Sequence, residues 1–101
     1  MAELLNIDRD RLAGFCHDRG IRQLSLFGSR ARGEARRESD VDLLVEFEVG
    51  TVPTLLDMAA MEAELSSMLN GLKVDLRTRH DLSRYFREDV VRAAEVQFVA
   101  A

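Results

Sequence analysis

Two pairs of residues in the first half of the chain have types and a spacing suited to phosphate chemistry. Gly28 and Ser29 follow an apolar segment, and Asp40 and Asp42, which flank Val41, come after ten further residues. Residues two apart on a strand project from the same face, so the two aspartates are expected to point together. Carboxylates on one face repel each other unless a cation separates them, and Mg²⁺ prefers such oxygen ligands. The spacing therefore predicts a Mg²⁺ site at Asp40 and Asp42.

Gly28 and Ser29 are predicted to form a cradle for a phosphate group. Glycine allows the backbone to approach a ligand closely. Residues 29–34 are predicted to form a short helix, whose first N–H groups can bind phosphate. The serine hydroxyl supplies one more hydrogen bond. A phosphate cradle beside a two-carboxylate metal site is the arrangement that nucleotidyl transfer requires.

A third acid, Asp75, lies between Val74 and Leu76 in another short apolar segment. If this strand neighbours the strand that carries Asp42, all three acids converge. Two Mg²⁺ ions at such a cluster could activate an attacking oxygen and stabilise the leaving one. Asp75 would then orient or deprotonate the acceptor hydroxyl. The alternative is a surface strand with solvated acids, which leaves unexplained why acids interrupt two otherwise apolar strands.

Arginines are concentrated just after the predicted cradle, within a chain whose net charge is −4. Arg30 and Arg32 lie beside the cradle and are predicted to bind the nucleotide, because a guanidinium binds phosphate with two parallel hydrogen bonds. Arg36 and Arg37 lie further along and are interpreted as solvated loop residues. The predicted nucleotide-binding set is therefore Gly28, Ser29, Arg30 and Arg32.

The spacing of apolar residues predicts the elements that must position this site. Besides the short helix at 29–34, helices are predicted over 8–19, 53–69 and 82–94, and strands over 21–27, 41–47, 72–77 and 96–99. In the helix over 53–69 the core-facing positions are predicted to be Leu55, Met58, Met61, Leu65 and Met68, and in the last helix Phe86, Val90 and Ala93 are predicted to share one face. This order of elements indicates an α/β (α+β) fold with a small mixed sheet.

Length and composition limit the class of protein. The 101 residues predict one domain, residues 1–101, and Cys16 is the single cysteine, which excludes an internal disulfide. No apolar run is long enough to span a bilayer, and the first residues do not form a secretory signal, so a cytoplasmic location is expected. The net charge of −4 argues against direct nucleic-acid binding by the surface as a whole.

The sequence resembles the minimal nucleotidyltransferase (MNT) family, small relatives of the DNA polymerase β superfamily. The resemblance rests on Gly28 and Ser29, the ten-residue spacing, Asp40 and Asp42, and Asp75 on a later strand. It implies the nucleotidyltransferase fold, with helices packed mainly on one face of the sheet. It also implies that Asp40, Asp42 and Asp75 are the catalytic, metal-binding residues.

The resemblance also implies a particular activity. Family members transfer a nucleoside monophosphate from a nucleoside triphosphate, by default ATP, to a hydroxyl group with the help of Mg²⁺. Many pair with a HEPN-type ribonuclease toxin, act as its antitoxin and add AMP to a toxin tyrosine. The leading hypothesis is therefore a protein adenylyltransferase antitoxin, and the alternative is a non-catalytic antitoxin that neutralises its toxin by binding. Transfer to a small molecule is less favoured, because no second domain is expected that could enclose one.

Overall fold

The computed structural model describes residues 6–36 and 39–100. Its helices are α1 (Arg9–Asp18), α2 (Leu55–Met68) and α3 (Arg87–Ala93), and its strands are β1 (Ile21–Phe27), β2 (Val41–Phe47), β3 (Val74–Arg77) and β4 (Glu95–Val99), with a 3₁₀ turn at Arg79–Asp81. The strands form one sheet in the order β3-β2-β1-β4. β2 and β3 are parallel and the other pairs are antiparallel. The predicted small mixed sheet is confirmed.

Alternation of apolar and polar residues explains the two central strands. On β2, Val41, Leu43 and Val45 are buried, while Asp42 between the first two is only half-buried. A strand places successive side chains on opposite faces, so these valines and the leucine fix which face of β2 meets the core. β1 contains a register shift between Ile21 and Gln23. A bulge inserts one residue and changes the parity, which lets Ile21 join the even-numbered core leucines of β1.

Helices α1 and α2 cover the core face of the sheet together. Leu12 and Cys16 of α1 and Met61 and Leu65 of α2 belong to one buried cluster with the inward residues of β1 and β2. The predicted packing of helices mainly on one face is confirmed. Arg19, directly after α1, also forms an ion pair with Glu64 of α2.

The prediction of a short helix at 29–34 is wrong. Residues 28–33 form turns, in which Gly28 has φ 77° and Gly33 has φ 72°. The Arg32 N–H donates to the Gly28 carbonyl at 3.2 Å, as in a helix, but the Gly33 N–H then donates to Arg30 and the Glu34 N–H to Ser29, so the helical turn is not continued. Gly33, with its positive φ, ends the turn as glycine does at helix C-termini. The chain therefore crosses from β1 to β2 through a loop.

The last helix is shorter than predicted. The Asp81 carboxylate accepts hydrogen bonds from the Thr78 N–H at 3.0 Å and the Thr78 hydroxyl at 3.1 Å, which stabilises the separate 3₁₀ turn. Leu82 then has ψ 143°, an extended conformation that interrupts any continuous helix from 82. The helix α3 begins only after Phe86. Strand β3 likewise begins at Val74, two residues later than predicted.

The core-facing residues predicted for α2 pack against the core in the middle of the helix but not at its start. Met61 and Leu65 are buried, and Met58 and Met68 pack against the core from half-buried positions. Leu55, in the first turn of α2, is 88% exposed. In α3 no residue is buried, and Phe86 directly before it is 64% exposed, so the apolar face predicted there is not part of the core.

The single cysteine is expected to be chemically inert in the folded chain. Cys16 is fully buried, and burial raises the pKa of its thiol to about 12, so the reactive thiolate is absent at neutral pH. Titration with Ellman's reagent at pH 8 should label no thiol in the native chain and one thiol per chain in guanidinium chloride. Rapid labelling of the native chain would contradict the buried placement.

None of the helices within residues 6–36 and 39–100 has the length and apolar content needed to cross a membrane.

Candidate active site

The parallel pairing of β2 with β3 brings the second and third predicted acids together. Asp42 is the direct partner of Asp75 in the register of these strands, and neighbouring strands lie about 4.8 Å apart. The flanking pairs, Val41 with Val74 and Leu43 with Leu76, are buried on the core side. Both aspartates therefore project from the face of the sheet opposite to the core helices.

The electrostatics of Asp42 show that Asp40 also lies close. Burial raises the pKa of the Asp42 carboxyl, and the negative charges of Asp75 and Asp40 raise it further. The guanidinium groups of Arg77 and Arg32 act in the opposite direction but do not cancel the rise. The three acids thus share one electrostatic environment with Asp42 at its centre.

Gly28 lies directly against the central acid. It follows Phe27, which is the register partner of Asp42 in the antiparallel pair of β1 and β2. A Cβ atom at Gly28 would lie 3.1 Å from Cγ and 3.2 Å from Cβ of Asp42, and it would overlap Oδ2. Only glycine combines the φ of 77° with this close approach. Ser29, the next residue, is half-buried, and its carbonyl accepts the Glu34 N–H at 2.9 Å.

The two arginines predicted to bind nucleotide have different surroundings. The Arg30 guanidinium donates to the Ser39 carbonyl at 2.7 Å, so it ties the turn after β1 to the residue before Asp40. Arg32 is exposed, donates to the Glu34 carboxylate at 3.0 Å, and lowers the pKa of Asp42 by its charge. Its placement beside the acids suits a phosphate contact, whereas that of Arg30 suits positioning of the loop. The predicted role of Arg37 concerns a residue outside the described part of the chain.

Sequence reasoning missed two cations at the acid cluster, which consists of Asp40, Asp42 and Asp75. Arg77 donates two hydrogen bonds to Oδ2 of Asp75, at 3.1 and 3.3 Å. The Lys73 ammonium lies 3.9 Å from Oδ2 of Asp40. The signal for Arg77 was available, because a residue two positions after Asp75 on a strand shares its face. Each cation offsets part of the repulsion that the three acids would otherwise experience.

The donor chemistry of this cluster fits Mg²⁺. Three carboxylates supply only oxygen atoms. Burial is the main cause of the raised pKa of Asp42, and the charges of Asp75 and Asp40 add to it, so a divalent cation would favour the ionised form of this carboxyl. Within residues 6–36 and 39–100, however, no three acid, imidazole or thiol groups lie close enough together to enclose a metal ion. Arg77 contacts only Oδ2 of Asp75, and Lys73 lies 3.9 Å from Oδ2 of Asp40, so these contacts leave Oδ1 of each carboxylate to a metal ion.

Asp42→Asn is expected to raise the thermal stability of the chain in EDTA at pH 7 by about 3 °C, for a relief below 1 kcal/mol. A carboxyl whose pKa is raised in the folded state destabilises that state when ionised, and the penalty fades as pH falls through the folded-state pKa. The difference in Tm should therefore shrink towards pH 4. Differential scanning fluorimetry at both pH values checks this, with the exposed Asp40→Asn as the smaller comparison. A lower Tm for Asp42→Asn at pH 7 would contradict the repulsion argument.

The fold and the acid cluster define a nucleotidyl-transferring domain, and comparison with known proteins agrees. The family described as nucleotidyltransferase domain matches residues 9–97. This chain therefore belongs to the nucleotidyltransferase domain family and is a nucleotidyltransferase enzyme.

Three individual proteins illustrate the similarity. The protein adenylyltransferase MntA of Thermococcus cleftensis is 42% identical over 80 residues, which are 79% of this chain and 76% of that protein. A solved toxin–antitoxin structure with AMP-PNP superimposes with a TM-score of 0.72 at 21% identity, covering 93% of this chain and 75% of that one. A complex of a tri-AMPylated Shewanella oneidensis HEPN toxin with an MNT antitoxin gives 0.63 at 18% identity, covering 91% and 70%. These two structures share the fold.

Proposed function

We propose that this chain is a cytoplasmic, Mg²⁺-dependent protein adenylyltransferase that transfers AMP from ATP to a tyrosine of a HEPN-type toxin and thereby acts as its antitoxin. The observation that carries the proposal is the placement of Asp42, paired in register with Asp75 and in contact range of Gly28. A phosphate held at Gly28 would thus lie directly beside the acid cluster.

The residues of the site would have different roles in the reaction. Asp40, Asp42 and Asp75 would hold Mg²⁺, with two ions expected, and the metal would supply neutralisation of charge on the phosphate oxygens. Gly28 and Ser29 accommodate the triphosphate, and Arg32 contributes a positive charge beside it. Asp75 orients the acceptor hydroxyl and takes its proton as the oxygen attacks the α-phosphate in line. The new phosphodiester forms as the bond between the α-phosphorus and the bridging oxygen of the β-phosphate breaks, and pyrophosphate leaves.

A protein acceptor is supported by the relatives. The MntA relative is named a protein adenylyltransferase, and the Shewanella complex contains an AMPylated HEPN toxin. The acid cluster lies on the sheet face opposite to the core helices, and Asp40 is exposed. A partner surface can therefore approach it. Transfer to tyrosine rests on the family resemblance alone.

The experiment is co-expression of this chain with a cognate HEPN-type toxin, followed by mass spectrometry of the toxin. Modification should appear as added AMP on a tyrosine, and it should disappear when Asp42→Asn replaces the native chain. Recovery of an unmodified toxin after co-expression with the native chain would contradict the adenylyltransferase proposal.

One observation favours a second function, that of a non-catalytic antitoxin. Asp75 is engaged by Arg77 and Asp40 by Lys73, so two of the three acids already have cationic partners. An antitoxin that acts only by binding would neutralise the unmodified toxin, and Asp42→Asn would neutralise it equally well. Toxicity assays with both chains therefore distinguish the two functions.

A further inference from the structure

An apolar cavity of about 520 Å³ opens between the turn after β1 and helix α3. Its apolar lining consists of Phe27, Ala31, Leu82, Phe86, Val90 and Ala93. Phe86, Val90 and Ala93 are the residues predicted to share one helix face, and all three line this cavity. Phe86 remains 64% exposed although its ring is large and apolar.

The cavity shares two residues with the acid cluster. Gly28 lines the cavity and also lies against Asp42. Arg32 lines it too, and its charge reaches Asp42. A molecule with a phosphate group at Gly28 and an apolar, planar part attached to it could therefore occupy both places at once.

We infer that this cavity binds the purine base of the donor nucleotide, with Phe86 as the stacking surface. The inference rests on the proposed function and adds the site of base recognition to it. An aromatic ring exposed at the cavity supplies a π-face for a base, and base–aromatic stacking contributes substantially to nucleotide binding. The volume of about 520 Å³ lies within the range of about 300–1,000 Å³ that is typical of small-molecule sites.

Polar groups in the cavity suit the edge of an amino purine. The Asp89 carboxylate lines the cavity, is exposed, and forms only a loose 3.8 Å ion pair with Arg92. It can accept hydrogen bonds from the exocyclic amino groups of adenine and guanine, and cytosine carries such a group too. Ser83 adds a hydroxyl that both donates and accepts. UTP, whose base carries no amino group, is thus the nucleotide that this chemistry disfavours.

Phe86→Ala is expected to weaken ATP binding about tenfold, measured by isothermal titration calorimetry with Mg²⁺, since stacking contributes about 1–3 kcal/mol per base. Binding of inorganic tripolyphosphate should be unchanged, because it lacks the base. Phe86→Leu keeps the apolar volume but not the π-face, so it should weaken ATP binding as well. UTP should bind the native chain more weakly than ATP or GTP.

Tyr85→Ala is the matched control, since Tyr85 is the adjacent exposed aromatic residue, lies outside this cavity and stacks on Arg84 at 5.1 Å. It should leave ATP binding unchanged.

Unaltered ATP affinity in both Phe86 variants would overturn the inference. A Phe86 variant in which only the KM for the toxin rises would also overturn it, because that result would indicate that the acceptor tyrosine occupies the cavity. Normal AMP transfer with unaltered ATP affinity would overturn the inference and leave the proposed function intact. Loss of ATP affinity in the Phe86 variants, together with a native chain that modifies no toxin, would support the inference and contradict the proposed function.

Discussion

Asp42→Asn is expected to lower the rate of AMP transfer at least about a thousandfold while the chain stays folded. Asp42 is central to the acid cluster, since its pKa responds to both Asp40 and Asp75. An amide keeps the shape of the side chain but removes the charge that would hold Mg²⁺. Metal stabilisation of a phosphoryl transition state contributes several kcal/mol, and about 4 kcal/mol corresponds to a thousandfold change in rate. The measurement is the initial rate of label transfer from α-labelled ATP to the toxin.

Glu46→Gln is the matched control for this substitution. Glu46 lies on the same strand and the same face as Asp42, four residues further along, and forms an exposed 3.0 Å ion pair with Arg22. The substitution removes the same charge as Asp42→Asn, but Glu46 does not contact the acid cluster. The rate of transfer should therefore stay within about twofold of the native rate, as for surface positions generally. A folded Asp42→Asn chain with Mg²⁺-dependent transfer close to that of Glu46→Gln would show that Asp42 is no metal ligand.

Gly28→Ala should lose transfer at least about a hundredfold, because misplacing reacting groups by about 1 Å has effects of that size. The new methyl group would overlap Oδ2 of Asp42, so either the turn or the acid must move. The alanine also has to adopt φ 77°, which costs about 1–2 kcal/mol of folding free energy. Urea unfolding measures that loss, and the label-transfer assay measures the activity.

Gly33→Ala separates the two effects of Gly28→Ala. Gly33 has φ 72° in the same loop, but nothing lies within 4 Å of a Cβ placed there. It should therefore lose similar stability, about 1–2 kcal/mol, and keep most of its transfer activity. Equal losses of activity in the two variants would mean that backbone strain in the loop, rather than contact with Asp42, controls the site.

The bounds of β1 and β2 agree with those predicted from the sequence. β2 alternates core and outward residues at a period of two, and β1 does so at Leu24 and Leu26, after its bulge. The buried face of α1 was equally predictable, since Leu12, Phe15 and Cys16 recur at helical spacing. Local spacing was less informative at residues 29–34, where it suggested a helix but the helical hydrogen bonds stop after one turn. The φ of a glycine depends on its tertiary contacts as well as on its neighbours along the chain.

Residue types and spacing were enough to predict the candidate site residues Gly28, Ser29, Asp40, Asp42 and Asp75. The pairing of Asp75 with Asp42 could be seen only in the folded chain, because the order of strands in a sheet depends on long-range pairing. The same is true of Arg77 on Asp75 and of the cavity beside Phe86. An apolar stripe on a helix indicates that a face needs covering, but only packing decides whether the core or an open cavity lies against it.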